Sequence, residues 1–425
     1  MPPIRFIHAA DLHLDAAFSG LSRDIPADFA ERLRTATFIA FRRLLDLCER
    51  ESPDFLLLAG DVYNQEDASV SAQLALRDGF RRLESLSIPV FLVHGNHDPL
   101  ASRLRSVRWP GNVTVFGELP DAVPVFRKGE GTPLAIIHGA SHASGRETRN
   151  LAALFRRTEA CGLHVGLLHA TPGDADGVAR YAPFSQEDLK ASGMDYWALG
   201  HIHDRREVCR EPLAAYPGCT QGLHINEPGE KGCLLVTAEA RPDGGYAVRT
   251  SFRPLGPAVW KTLDMDLGGA ASLDELENRL RTGLDRAAAE VWSGCEMLLV
   301  RLRQQGRTEL DGLVRKVTTC AELADRLRED GSGVPRIWIK DIDVATRPCV
   351  ERGALLERED LLGEVFRLSE AARTASGLQA LREGPLAPLF AHARAGKALE
   401  PLTDEELARL LDDAESLCLD LLEND

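Results

Sequence analysis

Short, almost wholly apolar runs alternate with longer amphipathic stretches through the first half of the chain. Ile4–Ala9, Phe55–Ala59, Ile88–Leu92, Leu134–Ile137, His164–Leu168 and Tyr196–Leu199 read as strands buried on both faces. Between the first two, Phe29, Leu33, Ala36, Ala40, Phe41, Leu44 and Leu47 recur at helical spacing, which predicts one helix over about Pro26–Arg50. Further helices are predicted around Ser71–Leu86 and near Asn150–Arg157. Strand, helix, strand, helix, strand is the rhythm of a layered α/β core whose ligands sit beyond the carboxyl ends of the strands. A strand pair around Tyr216 and Gly232–Val236 closes this region near Leu255.

The pattern then changes. Leu263, Met265 and Leu267 alternate with polar residues as in an amphipathic strand, and Ser272-Leu273-Asp274-Glu275 has the form of a capping box opening a helix. A strand (Met297–Arg303), a short helix (Ala321–Glu329) and another strand (Ile337–Val344) complete a small α+β module with no catalytic cluster of its own. Beyond Pro348 the chain reads as helical, acidic and leucine-rich. Three domains are therefore expected, over 1–255, 256–347 and 348–425.

The strands of the first region end in a particular way. After Ile88–Leu92 come Val93-His94-Gly95-Asn96-His97-Asp98-Pro99, polar residues that cannot continue a strand and are costly to bury without partners. The same event recurs at Asp11-Leu12-His13, Gly60-Asp61-Val62-Tyr63-Asn64, His169 and Gly200-His201-Ile202-His203. In extended chain, residues two apart point the same way, so Asp11 and His13 are expected to converge. The polar residues that end strands are Asp11, His13, Asp61, Asn96, His97, His169, His201 and His203, and seven ligands from such a set are too many for one ion with an open position. They suit two ions ~4 Å apart sharing a carboxylate, with Asp61 as the bridge because its two oxygens can be divided between them. Imidazole, carboxylate and carboxamide without sulfur suit Mn²⁺, Fe or Zn²⁺ far better than a soft metal. His8, His94, His138, His142, His164, His224 and His392 are assigned structural roles.

Bulk properties leave this picture standing. The formal net charge of −15 disfavours a polyanionic partner at first sight, but Ala354–Asp425 holds 7 Lys/Arg against 16 Asp/Glu. The rest of the chain is only mildly acidic, and bound divalent cations would offset part of that. Nine cysteines are scattered without a Cys-x-x-Cys pair, which argues against a thiolate site or a disulfide framework and for a reducing, cytoplasmic setting. No run of ~18 apolar residues suggests a membrane span, and the N-terminus has no signal-peptide pattern.

Asp-x-His, Gly-Asp-x-x-Asn, Gly-Asn-His-Asp, a lone strand-end His and Gly-His-x-His together resemble the calcineurin-like metallophosphoesterases. His8-Ala9-Ala10-Asp11-Leu12-His13-Leu14, Ala198–His203 and Tyr216-Pro217-Gly218-Cys219-Thr220-Gln221-Gly222 narrow the likeness to the SbcD/YhaO-type DNA repair exonucleases. The resemblance implies a four-layer α/β/β/α sandwich, a capping domain after it, and a helical C-terminal segment. It also implies one metal on Asp11, His13, Asp61 and His203, and another on Asp61, Asn96, His169 and His201. The two ions would lower the pKa of a bridging water, so that hydroxide attacks phosphorus near neutral pH. His97 is the candidate to protonate the leaving 3′-oxygen, and Asn64 is expected to orient His97 by a hydrogen bond. Relatives usually place His or Asp where this chain has Asn64. Ser/Thr phosphatases typically have Glu where this chain has Asp98, which weakens that alternative.

Arg103, Arg105, Arg108, Arg205 and Arg206 flank the polar loops and suit contacts to a phosphate backbone. The function expected is a two-metal DNA nuclease working with an SbcC/YhaN-like coiled-coil ATPase, to which the leucine-rich tail is suited, with a homodimer through the first long helix. Two other readings compete: a phosphodiesterase or phosphatase acting on small nucleotides, and an inactive scaffold that keeps the fold.

Overall fold

Each apolar run forms a strand that alternates its side chains between two cores. The computed structural model describes every residue except 1, 22–24, 65–68, 102–106, 174–179, 243, 330–332, 350, 392–401 and 423–425. Arg103, Arg105 and His392 thus lie outside the described residues. The described chain divides into two compact units. One comprises Met1–Asp266, Ser272–Gln305 and Val314–Ala345; the other comprises Leu267–Ala271, Gly306–Leu313 and Thr346–Asp425.

In the first unit the elements run β1 (Ile4–Ala9), α1 (Ala27–Arg34), α2 (Ala36–Glu51), β2 (Phe55–Ala59), α3 (Val70–Ser85), β3 (Val90–Val93) and β4 (Val113–Val115). There follow β5 (Asp121–Val125), β6 (Ala135–Ala140), β7 (Leu163–His169), α4 (Gln186–Ala191), β8 (Tyr196–Gly200), β9 (Arg206–Arg210) and β10 (Leu213–Tyr216). β11 (Gly232–Ala240) and β12 (Tyr246–Pro254) return to the first sheet. The two six-stranded sheets have the orders β12-β11-β1-β2-β3-β4 and β5-β6-β7-β8-β10-β9. The runs β1-β2-β3-β4 and β6-β7-β8 are parallel.

Phe6, Phe55, Leu57, Phe91 and Val93 from one sheet meet Val165, Leu167, Tyr196 and Ala198 from the other. The alternate positions Ile7, Leu56, Leu58, Val90 and Leu92 face outward and are covered by α2 and α3 through Leu44, Phe41, Leu76 and Phe80. On the far side Leu168, Trp197 and Leu199 are covered by Leu151, Ala152, Phe155 and Leu189. Helix, sheet, sheet, helix is the four-layer α/β/β/α sandwich expected, and burial on both faces explains the unbroken apolar runs.

Two helix expectations change. The Pro26–Arg50 pattern is two helices, α1 and α2, broken at Thr35, whose hydroxyl bonds the carbonyls of Glu31 and Arg32. The break follows from two destinations for one apolar stripe. Phe29, Leu33 and Ala36 pack against Trp260, Met297, Leu299 and Trp338, whereas Ala40, Leu44 and Leu47 pack on the first sheet. Near Asn150–Arg157 only a 3-10 turn forms, over Ala152–Leu154. Asn150 Oδ1 takes the amide of Ala153, and the chain then leaves helical geometry at Phe155 because Arg157 N bonds Ser192 O at 2.9 Å.

The following module is β13 (Ala258–Asp266), α5 (Leu273–Glu290), β14 (Met297–Thr308), α6 (Asp311–Val314), α7 (Val317–Glu329) and β15 (Arg336–Pro348), with the three strands in that order in one sheet. Ser272 caps α5 by accepting the amide of Glu275, as its sequence suggests.

In the second unit the tail is helical, as expected: α8 (Arg352–Leu356), α9 (Leu361–Ala372), α10 (Ala375–Glu383), α11 (Ala387–Ala391) and α12 (Asp404–Leu422). Leu355, Leu362, Phe366 and Leu419 form its core, and buried Glu415 holds Arg352 and Arg373. Among the described residues no helix is long and apolar enough to cross a membrane, and all nine cysteines are free.

Candidate metal centre

The carboxyl ends of β1, β2 and β3 in one sheet and of β7 and β8 in the other open toward a common point. Asp11 and His13 follow β1, Asp61 follows β2, Asn96 follows β3, His169 ends β7, and His201 and His203 follow β8. All seven predicted ligands meet there. The route is not the extended one expected for Asp11 and His13. Both lie in the left-handed region (φ 51° and 40°), as does Asp61 (φ 49°), while His201 has φ 103°. Such backbone costs on the order of 1–3 kcal/mol per residue and persists only where the surroundings over-determine it. Here backbone bonds impose it: Asp11 N to Gly60 O at 3.1 Å and His13 N to Asp61 O at 3.0 Å lace the β1 and β2 turns together.

Two groups of donor atoms result, Asp11 with His13 and His203, and Asp61 with His169 and His201, each gathered within 4.8 Å. His13 Nε2 lies 3.1 Å from His203 Nε2, and His203 Nε2 lies 3.9 Å from Asp11 Oδ1. Asn96 Oδ1 joins the second group, 3.0 Å from His169 Nε2 and 3.1 Å from His201 Nδ1. Asp61 reaches both groups, but through one oxygen. Its Oδ2 stands 3.3 Å from His169 Nε2 and 3.9 Å from His13 Nε2, while Oδ1 accepts the His97 amide at 2.8 Å. Asp61 thus stands between the two groups, the position expected of a shared carboxylate.

The tautomers can be read from the other ring nitrogens. His169 Nδ1 donates to Ala59 O (2.9 Å), His13 Nδ1 to Asn64 Oδ1 (2.6 Å) and His203 Nδ1 to Glu227 Oε1 (2.5 Å). Each Nε2 then turns its lone pair toward the common point, where lone pairs repel unless something positive sits between them. Nitrogen and oxygen donors without thiolate fit a borderline-to-hard divalent cation, and outward Nδ1 bonds are the usual support of metal-bound imidazole.

Charges within the group push its members apart. Burial raises Asp11 to about 6 against the opposing pull of His169 and His203. Burial would raise Asp61 too, but His169, His13 and His97 outweigh it and hold that carboxyl well below the ordinary range. Burial lowers His13 to about 4. It works against the charged form of His169 as well, yet Asp61 prevails and lifts that imidazole to about 9, so that without a cation its Nε2 holds a proton that a bound metal would displace.

His97 is exposed beside these buried groups, its ring edge-on to His13 at 5.2 Å between centroids. Asn64 is at the site, but its carboxamide oxygen bonds His13 rather than the expected His97. Two contributors lie outside the expected set. Asp98, fully buried, accepts the amides of Gly95 (2.7 Å), Val62 (3.0 Å) and Asp61 (3.3 Å) and so ties the β2 and β3 turns together. Glu227 supports His203 from a loop with no helical or strand periodicity to mark it. Of the histidines assigned structural roles, His8 is pinned between the sheets by Tyr196 Oη and Leu199 O, and His142 bonds the carbonyl of His169.

Residues 4–205 match the calcineurin-like phosphoesterase family, and residues 260–347 match the middle domain of metallophosphoesterase YhaO. A Bacillus subtilis protein named uncharacterized metallophosphoesterase YhaO is 33% identical over 386 residues, 90% of this chain and 91% of the relative. The chain belongs to the calcineurin-like metallophosphoesterases. Two archaeal proteins named DNA double-strand break repair protein Mre11 are also similar. That of Aeropyrum pernix is 27% identical over 319 residues, 68% of this chain and 69% of the relative. That of Haloferax volcanii is 24% identical over 390 residues, 87% of this chain and 78% of the relative. The family and the clustered Asp and His side chains together make this metallophosphoesterase a metal-dependent phosphoester hydrolase.

Proposed function

We propose that this metallophosphoesterase is a two-cation DNA nuclease, an exonuclease acting on ends. The observation that carries the reading is the convergence of two donor groups on one Asp61 oxygen. Asp11, His13, Asp61 and His203 would hold one cation and Asp61, Asn96, His169 and His201 the other, most suitably Mn²⁺ by donor type. Bound there, the cations supply a nucleophilic water at neutral pH and screen the phosphate oxygens.

The chain's own residues do the rest. Asn64, Glu227 and the Ala59 carbonyl fix three imidazoles in the donating tautomer. His97, exposed at the rim, gives a proton to the departing sugar oxygen. Arg205 and Arg206, exposed just after the β8 turn with their guanidinium groups over Phe252 and Tyr216, would meet phosphates. DNA as substrate is supported by the likeness to the Mre11 relatives over most of this chain. In this reading residues 1–255 are the nuclease domain, 256–347 the cap and 348–425 the docking segment. An SbcC/YhaN-like coiled-coil ATPase would engage Leu410, Leu417 and Leu421, which α12 leaves exposed, and a homodimer completes the assembly.

The test compares end-labelled linear DNA, circular single-stranded DNA and bis-p-nitrophenyl phosphate, with Mn²⁺ and with chelator. Release of label from linear DNA only with Mn²⁺ is expected. Cleavage of the small ester alone would favour a small-substrate phosphodiesterase, and inertness toward all three a scaffold.

A further inference from the structure

His203 lies open to solvent at the rim of the centre, its side chain 30% exposed against 6% for His13 and 0% for His169. An imidazole at such a rim can turn unless something holds it. The polypeptide around Cys219–Lys231 grips it from two ends. Its carbonyl accepts the amide of Cys219 (3.2 Å) and Nζ of Lys231 (3.1 Å), a lysine only 5% exposed that also pairs with Asp204 (3.0 Å). Gly218, at φ 80°, lets the chain pass so near that a Cβ there would fall 2.7 Å from the same carbonyl oxygen.

The ring end is held by Glu227. One carboxylate oxygen takes His203 Nδ1 at 2.5 Å, and the other takes the amide of Leu223 at 2.7 Å. The loop carrying Glu227 is itself anchored to β13. Gln221 bonds both the carbonyl (2.8 Å) and the amide (3.1 Å) of Ala258, and Trp260 Nε1 donates to Gly222 O at 3.1 Å. Glu227 is 6% exposed, so its charge is poorly screened by water and acts mainly on His203, with His224 Nε2 3.1 Å away on the rim.

We propose that Glu227 is a positioning residue for the metal centre: its buried carboxylate locks His203 with Nε2 bare and strengthens that nitrogen as a donor to one of the two cations. The inference rests on the two-cation reading above. A site built from Nδ1 of His203, Cys219 and Glu227 is the competing use of the same residues. The 2.5 Å separation of Nδ1 and Oε1 leaves no room for an ion between them, and burial keeps the Cys219 thiol protonated. A carboxylate behind a metal-bound imidazole raises its basicity, and losing it typically weakens binding roughly 10–100-fold.

Isothermal titration of the chelator-stripped full-length chain with Mn²⁺ alone tests this, comparing wild type with Glu227→Ala, Glu227→Gln and His224→Ala. Wild type is expected to bind two equivalents. In E227A one equivalent weakens roughly 10–100-fold while the other is kept. E227Q, which keeps the volume and an acceptor oxygen but not the charge, falls between them, and H224A matches wild type. Two equivalents of wild-type affinity in both folded Glu227 variants would overturn the assignment and leave the two-cation centre intact. If E227A does not fold, E227Q decides alone, and wild-type affinity in it overturns the role of the charge. A wild type that binds fewer than two equivalents removes the two-cation centre itself, and this assignment with it.

Discussion

His13 and His203 bring their Nε2 atoms to 3.1 Å while each commits Nδ1 to an oxygen, of Asn64 and of Glu227 respectively. Two nitrogen lone pairs that close require a proton or a metal cation between them. Several expectations for the variants follow from which of the two it is and from what surrounds it.

Asn64 should act through His13. Replacing it with Leu leaves Nδ1 without its acceptor, so Mn²⁺ affinity should fall roughly tenfold, whereas Asn64→Asp should retain or tighten it. Titration calorimetry on the folded variants checks this. Unchanged affinity in N64L would show that the 2.6 Å bond is incidental.

His97 is assigned to the leaving group, and the two substrates separate that role from a structural one. His97→Gln should lower kcat on DNA roughly 10²–10⁴-fold, the usual worth of a general acid. It should affect bis-p-nitrophenyl phosphate far less, because p-nitrophenolate leaves without a proton. Equal losses on both substrates, or loss of bound metal, would remove His97 from that role.

Gly95 allows β3 to pass within reach of the centre. A Cβ there would lie 2.3 Å from Asp61 Oδ1 and 2.7 Å from His169 Nε2. Gly95→Ala should therefore lower activity roughly a hundredfold or more by displacing both side chains, while Gly117→Ala, whose added Cβ meets nothing within 4 Å, should be silent. Activity and metal content measured on both variants distinguish local displacement from a general fragility.

Stability should also depend on acid through a pair remote from catalysis. His138 Nε2 lies 2.9 Å from His164 Nδ1 inside the second sheet, and burial lowers His138 from 6.5 to about 4. Its folded value is below its unfolded one, so the neutral ring's contribution is complete above about 6.5. It is lost as pH falls from there toward 4. Chemical denaturation across that window should show His138→Gln taking up about one proton fewer on unfolding than wild type. Parallel curves would contradict this.

Much of the site was legible because its donors follow apolar runs, and a polar residue ending a fully buried strand has few other uses. Asp61, Asn96 and His169 are of this kind. Asp11 and His13 converge as expected but by another route, since left-handed turns and not extended chain aim them. Asn64 was expected on His97 because position along the chain does not say which imidazole a short carboxamide will reach. Glu227 was invisible because its partner is 24 residues away and its loop has no period to read. The split at Thr35 was hidden for a related reason, because helical spacing does not reveal that one apolar stripe serves two separate cores.

The most direct measurement is the metal content of Mn²⁺-loaded, desalted protein, taken for wild type and for Asp61→Asn. Two ions per chain are predicted for wild type and fewer than one for the variant, with DNA cleavage lost by roughly a thousandfold, since the Asp61 oxygen serves both donor groups. One ion or none in wild type, or two retained in D61N, would contradict a paired centre.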